Sequence, residues 1–200
     1  MAPTRFGTDG VRGVANEELT PELALAIGRA AARVLPAPTF VVGRDTRRSG
    51  PLLQAAFSAG LAAEGADVVD LGVLPTPGVA AVAESRKSPG AVISASHNPF
   101  ADNGIKLFSL QGTKLPVEVE GEIERELDSI LADPDGIDML AVVEVAAKRI
   151  NVLGDVAIGE DVSLRRNDDP AARGPALRKV PVQRRQPDRL NSNDGGEHTL

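Results

Sequence analysis

The chain has 200 residues, room for one or two domains, and its apolar fraction of 42% permits a packed core built mostly from Ala, Val, Leu and Ile, since the only aromatics are five Phe. A formal net charge of −6 argues against non-specific nucleic-acid binding, so an anionic ligand must be met by particular Arg and Lys residues. The absence of cysteine excludes a disulfide scaffold, a thiolate nucleophile and a Cys-based zinc site, and His97 and His198 alone are too few for a multi-histidine metal centre.

The run Gly7-Thr8-Asp9-Gly10-Val11-Arg12-Gly13 is a glycine-rich loop. Such a loop lets backbone approach a ligand closely and can cradle an anion with successive N–H groups. Arg12 adds a potential bidentate phosphate contact, although the same residues also make an ordinary turn. This polar run stands where a secretory apolar segment would be, and no stretch reaches the length of a membrane span, so a cytoplasmic protein without a membrane partner is expected. Thr20-Pro21-Glu22 starts a helix with an N-cap oxygen, a proline in the first turn and an early acid. The helix should run from about Pro21 to Leu35, with Leu23, Ile27, Ala30, Ala31 and Val34 on one face, and end at Pro36 and Pro38.

Thr39 to Val42 reads as a buried strand, followed by the basic loop GRDTRRSG at positions 43–50. That loop either aims its arginines at a phosphate or pairs Arg44 with Asp45 and ties itself down, the latter being the simpler expectation. A helix of small residues follows from about Pro51 to Glu64, closed by Gly65, then a strand over Asp67 to Leu71. Pro75-Thr76-Pro77 sets up a short alanine-rich helix to about Glu84.

The stretch AVISASHNPFADNGIKLF, residues 91–108, organises the rest. Ala91-Val92-Ile93 is a strand buried on both faces, and Ser94-Ala95-Ser96-His97-Asn98-Pro99 is a small polar loop at its end. Asp102-Asn103-Gly104 should turn the chain into a second strand, Ile105 to Phe108, which returns Lys106 close to the loop. Gly112 suits a further turn, and a last helix runs from about Val117 to Leu131 with Glu118, Glu122, Glu126 and Asp128 on its solvated face. This alternation points to a three-layer α/β/α domain with a mixed sheet, in which ligands sit at the carboxyl ends of strands. Serine is a weak nucleophile by itself. A phosphorylated Ser96 would instead hold about −1.5 to −2 charge and need cations and in-line positioning to donate its group. The residues alone leave both the phosphoryl-carrying loop and a plain Ser/Asn/Pro turn open. A serine-hydrolase arrangement is weaker, because there is no GxSxG elbow and His97 directly follows Ser96.

FGTDGVRG, GRDTRRSG, the Pro-Thr-Pro run and, above all, SASHNP followed by DNGIK resemble the α-D-phosphohexomutases, and within them the branch acting on hexosamine phosphates. The resemblance implies interconversion of glucosamine 6-phosphate and glucosamine 1-phosphate through a phosphoserine and a sugar bisphosphate. It implies Ser96 as the phosphorylated residue, with Mg2+ bound to that phosphate together with aspartates of a later domain. It further implies Arg12 and Lys106 as cations beside the phosphoryl group, and His97 and Asn98 as residues that hold the loop. A sister activity on glucose or mannose phosphates and a non-catalytic first domain remain alternatives.

The resemblance covers about residues 3–132. The metal loop, the sugar-reading loop and the C-terminal phosphate-binding loop of the family have no counterpart here. Asp133-Pro134-Asp135-Gly136-Ile137-Asp138 lacks the arginine and spacing of that metal loop and reads as a turn. Positions 139–163 keep enough apolar pattern for one helix and a strand or two. Beyond Leu164 the chain becomes rich in Arg, Pro, Asp and Asn, a composition that buries too little apolar area to order itself. The expectation is a first domain over 1–136 and a divergent, largely irregular tail over 137–200, from a truncated or frame-shifted gene.

Overall fold

The computed structural model describes residues 6–7, 9–133, 142, 146 and 148–152. Their elements alternate along the chain: β1 (Val11–Val14), α1 (Pro21–Val34), β2 (Thr39–Arg44), α2 (Gly50–Ala63), β3 (Asp67–Val73), α3 (Thr76–Arg86), β4 (Gly90–Ile93), β5 (Asp102–Phe108), α4 (Val117–Ala132) and β6 (Ile150–Val152). The strands form one six-stranded sheet in the order β1-β5-β4-β2-β3-β6. β4, β2, β3 and β6 run parallel, while β5 is antiparallel to both of its neighbours, so the sheet is mixed.

Alternation of side chains along each strand divides the core into two layers. Phe40, Val42, Val68, Ala91, Ile93, Ile105 and Leu107 point to one face and meet Leu23 and Ile27 of α1, Phe57 and Leu61 of α2, and Ile123 and Leu127 of α4. Val41, Val69, Leu71, Val92 and Phe108 point to the other face and meet Val79 and Ala83 of α3. Helices on both faces make the three layers that the sequence pattern implies. No helix among the described residues is long and apolar enough to cross a membrane.

The expected N-cap of α1 forms. Thr20 Oγ1 accepts the Leu23 N–H at 3.2 Å and opens α1. Gly112, at φ +67°, turns the chain between Phe108 and Lys114, which pair as an antiparallel bridge. On α4, Glu118, Glu122 and Asp128 are exposed, but Glu126 instead reaches Arg33 of α1 at 2.6 Å.

Two local expectations are corrected. Asp102-Asn103-Gly104 is not a turn: these residues begin β5 and pair with Val14, Gly13 and Arg12. Correspondingly, part of the glycine-rich run is the strand β1, formed because β5 offers it a ladder of hydrogen-bonding groups. Arg44 does not pair with the Asp45 carboxylate. Its Nη1 donates to the Asp45 carbonyl at 3.4 Å, and the carboxylate goes to Arg47. The acidic run 133–138 lies outside the described residues after Asp133, as does most of the stretch expected to be an irregular tail. Of that stretch, β6 adds a sixth strand beside β3, and Arg149 reaches Asp67 at 2.9 Å.

Candidate active site

The strand order decides where the polar loops meet. β2 and β4 are parallel neighbours, with Arg44 opposite Ile93, so the connections leaving their carboxyl ends lie side by side. The crossover from β3 to β4 carries α3 past β2 on the opposite face from α1 and α2. Ligand sites in open α/β sheets form at such places.

A cavity of about 160 Å³ opens there. Its wall is made by Asp9, Arg12, Thr76, Ser94, Ser96 and Lys106, over a floor of Val92. Several separate pieces of the fold bring them together. Arg12 stands on β1 opposite Gly104, and Lys106 stands two residues further along β5 opposite Val92, so both project from the α3 face of the sheet. Thr76 is the first residue of α3, which turns the positive end of that helix toward the cavity. Ser94 and Ser96 come from the loop after β4. Two full cations stand against the single carboxylate of Asp9, which makes the space suited to an anion.

Arg12 is only partly engaged. Its Nη1 donates to Asn98 Oδ1 at 3.0 Å, its Nη2 lies 3.7 Å from Asp9, and its buried Nε has no hydrogen-bond partner among the described residues. A buried N–H without a partner is costly.

Ser96 is exposed and adopts φ +56°, the left-handed region that non-glycine residues rarely occupy. Such backbone costs roughly 1–3 kcal/mol and persists only where surrounding contacts fix it. The contacts are present. The Ser96 N–H donates to Ser94 Oγ at 3.0 Å, and Ser94 Oγ donates to Asp45 Oδ2 at 2.8 Å. Ala95 between them is fully buried. Asn98 closes the loop, its N–H donating to the Ala95 carbonyl at 3.1 Å and its Nδ2 to Asp102 Oδ2 at 3.0 Å. Asn98 thus joins the loop to both Arg12 and β5.

Of the residues singled out in the sequence, Ser96, Arg12 and Lys106 share the cavity. His97 does not line it. Its exposed ring lies beside Ser96, with Nδ1 3.5 Å from Ser96 Oγ. Sequence reasoning missed Thr76, Ser94 and Asp9 as wall residues and missed Arg47, whose guanidinium lies beneath the Ser96 loop. The only sequence signal for Arg47 was its place in GRDTRRSG after a strand.

The family described as "Phosphoglucomutase/phosphomannomutase, alpha/beta/alpha domain I" matches residues 3–133. The chain belongs to this family. Among curated relatives it is 55% identical to phosphoglucosamine mutase of Heliobacterium modesticaldum over 66% of this chain and 31% of the relative. It is 54% identical to phosphoglucosamine mutase of Corynebacterium glutamicum over 70% of this chain and 34% of the relative. Similarity to the phosphoglucosamine mutase of Rhodococcus erythropolis, at 44% identity, extends over 95% of this chain and 48% of that protein. The chain therefore spans between about a third and a half of the length of these relatives. Among solved structures, a putative phosphomannomutase from Thermus thermophilus superposes with a TM-score of 0.60 at 36% identity, covering 63% of this chain and 30% of that one. A phosphoglucomutase/phosphomannomutase family protein from Burkholderia thailandensis superposes with a TM-score of 0.55 at 32% identity, covering 64% of this chain and 31% of that one.

Proposed function

We propose that this chain supplies the phosphoserine domain of a phosphoglucosamine mutase, which interconverts glucosamine 6-phosphate and glucosamine 1-phosphate through a sugar bisphosphate. The observation that carries the proposal is the cationic cavity in which Ser96, held in the left-handed region, shares a wall with Arg12 and Lys106. In the forward step a sugar hydroxyl oxygen attacks the phosphorus on Ser96. A P–O bond forms to the sugar, the P–Oγ bond breaks, and the hydroxyl proton leaves as Ser96 Oγ takes up a proton. The return step re-phosphorylates Ser96 from the other end of the bisphosphate. Arg12, Lys106 and the positive end of α3 neutralise charge on the transferring group, which is the main task in phosphoryl transfer. Identity of 44–55% to the three phosphoglucosamine mutases, against 36% and 32% to the phosphomannomutase-type structures, supports the hexosamine substrate over its sister sugars.

The proposal includes Mg2+ bound by phosphoryl oxygens on Ser96, where it would offset their charge. The described residues do not fit a metal cage of their own. No group of three His, Cys, Asp or Glu among them is arranged to hold an ion, and the cavity offers one carboxylate beside two cations. No step here depends on that ion. The proposed compartment is the cytoplasm, the proposed partners are the hexosamine phosphate and its bisphosphate, and no nucleic acid is involved.

The test is phosphorus NMR of the purified chain with glucosamine 6-phosphate, Mg2+ and a catalytic amount of glucosamine 1,6-bisphosphate. Appearance of glucosamine 1-phosphate that is lost in Ser96→Ala supports the reading. Faster conversion of glucose or mannose phosphates would favour the sister activity. No conversion of any of them by a folded chain would mean a non-catalytic domain.

A further inference from the structure

We propose that Arg47 is a positioning residue that sets the backbone of the Ser96 loop, with Asp45 as its anchor. The guanidinium is almost fully buried, at 8% exposure, and all five of its N–H donors are used. Nη2 donates to the Ser96 carbonyl at 3.0 Å and the Asn98 carbonyl at 2.9 Å. Nη1 donates to the Pro99 carbonyl at 2.5 Å and the Asp102 carbonyl at 2.9 Å. Nε donates to Asp45 Oδ2 at 3.1 Å. Three carbonyls of the loop and that of Asp102, the first residue of β5, therefore converge on one cation, and the loop is wrapped around it.

Asp45 completes the device from the other side. Its Oδ1 accepts the Arg47 N–H at 2.9 Å, and its Oδ2 accepts both Arg47 Nε and the Ser94 hydroxyl. Ser94 Oγ in turn accepts the Ser96 N–H. The peptide groups on both sides of Ser96 are thus fixed, the N–H through Ser94 and Asp45, the carbonyl through Arg47. That arrangement accounts for φ +56° at a residue with a side chain, and leaves Ser96 Oγ outside the clamp and free to carry a group. With every donor committed, Arg47 has none left for a ligand, so its effect passes through the loop. A lysine supplies three donors from a single nitrogen and could not span the same four carbonyls.

The role in phosphoryl transfer rests on the reading of Ser96 above; the clamp itself does not. The test uses the full chain, its Arg47→Lys and Arg47→Ala variants, and two readouts. The first is backbone carbon chemical shifts, which report positive φ at Ser96. The left-handed signature should be present in the parent and lost in both variants, with the shifts of α1 and β3 unchanged. If Arg47→Ala does not fold, Arg47→Lys carries the measurement. Retention of the left-handed signature in a folded variant overturns the proposal. The second readout is phosphorylation of Ser96 by glucose 1,6-bisphosphate. The maximal rate should fall by about a hundredfold, the loss that misplacing a reacting group by an ångström brings, while the half-saturating concentration stays within about twofold. An unchanged maximal rate also overturns the proposal. A parent chain that takes up no phosphoryl group, but loses the signature in the variants, would sink the functional reading and leave the clamp standing.

Discussion

Helices α1 and α2 touch backbone to backbone at a pair of glycines, and filling that gap should weaken the domain measurably. A Cβ added to Gly28 would lie 2.2 Å from the Phe57 carbonyl oxygen, and one added to Gly60 would lie 2.1 Å from the Leu25 carbonyl oxygen. Ordinary contact begins at 3.4 Å, so the helices would have to part by about 1.2 Å. The obstacle is backbone, which cannot swing aside as a side chain would. Overpacking of this kind costs about 1–3 kcal/mol, and here the upper end applies, because parting the helices also forfeits a quarter to a half of the dispersion at the seam. Alanine recovers about 1 kcal/mol of helix propensity. The net loss for Gly28→Ala is then about 2 kcal/mol, or a melting temperature lower by about 4–8 °C in a chain of this size. Gly121 of α4 is the control, since its added Cβ meets nothing within 4 Å. Gly121→Ala should raise stability by about 1 kcal/mol through propensity alone. Thermal melts followed by circular dichroism decide the matter. Gly28→Ala melting at or above the parent would refute the close-packing argument, whatever Gly121→Ala does.

Thr20→Ala should cost about 1 kcal/mol in urea titration by removing the N-cap acceptor of the Leu23 N–H. Acid should destabilise the domain through Glu64. Burial pushes the Glu64 carboxyl up, but hydrogen bonds from Arg33 and Arg29 outweigh it and hold the group below the ordinary carboxylate range. A carboxyl lowered in the folded state stabilises above its unfolded value and loses that contribution as pH falls through the folded one. Stability measured against pH should therefore fall on the acid side, and Glu64→Gln should flatten that limb while lowering stability at neutral pH; an unchanged acid limb would count against the ion pairs. Lys106→Met and Arg12→Met should each slow phosphoryl uptake by Ser96 by about a hundredfold, the scale on which loss of a charge-stabilising donor acts. Equal rates in the parent and either variant would remove that cation from the site.

The sequence was most legible where local chemistry and tertiary structure agree. Thr20-Pro21-Glu22 carries its own cap, and the apolar run Ala91-Val92-Ile93 needs burial on both faces wherever it is placed, so α1 and β4 appear where expected. β1 was not legible, because Val11 to Val14 contains a glycine and an arginine and becomes a strand only when β5 pairs with it. Asp102-Asn103-Gly104 has turn-forming residues, yet that same pairing holds it extended. Within the site, Ser96, Arg12 and Lys106 emerged from motifs that resemble a known family, and the sheet order brings them to one cavity. Arg47 lies in GRDTRRSG, another of those motifs, but nothing in that run showed what its guanidinium holds. Its partners are carbonyls some fifty positions away, and carbonyls are the same in every residue, so no side-chain pattern records them.

Ser96 is the proposed carrier of the phosphoryl group, and intact-mass analysis of the chain after incubation with glucose 1,6-bisphosphate, followed by peptide mapping, locates any group it takes up. A single added phosphoryl group on the peptide containing Ser96, missing in Ser96→Ala, is the predicted result. A folded chain that stays unmodified, or one modified at another residue and equally in Ser96→Ala, would contradict it.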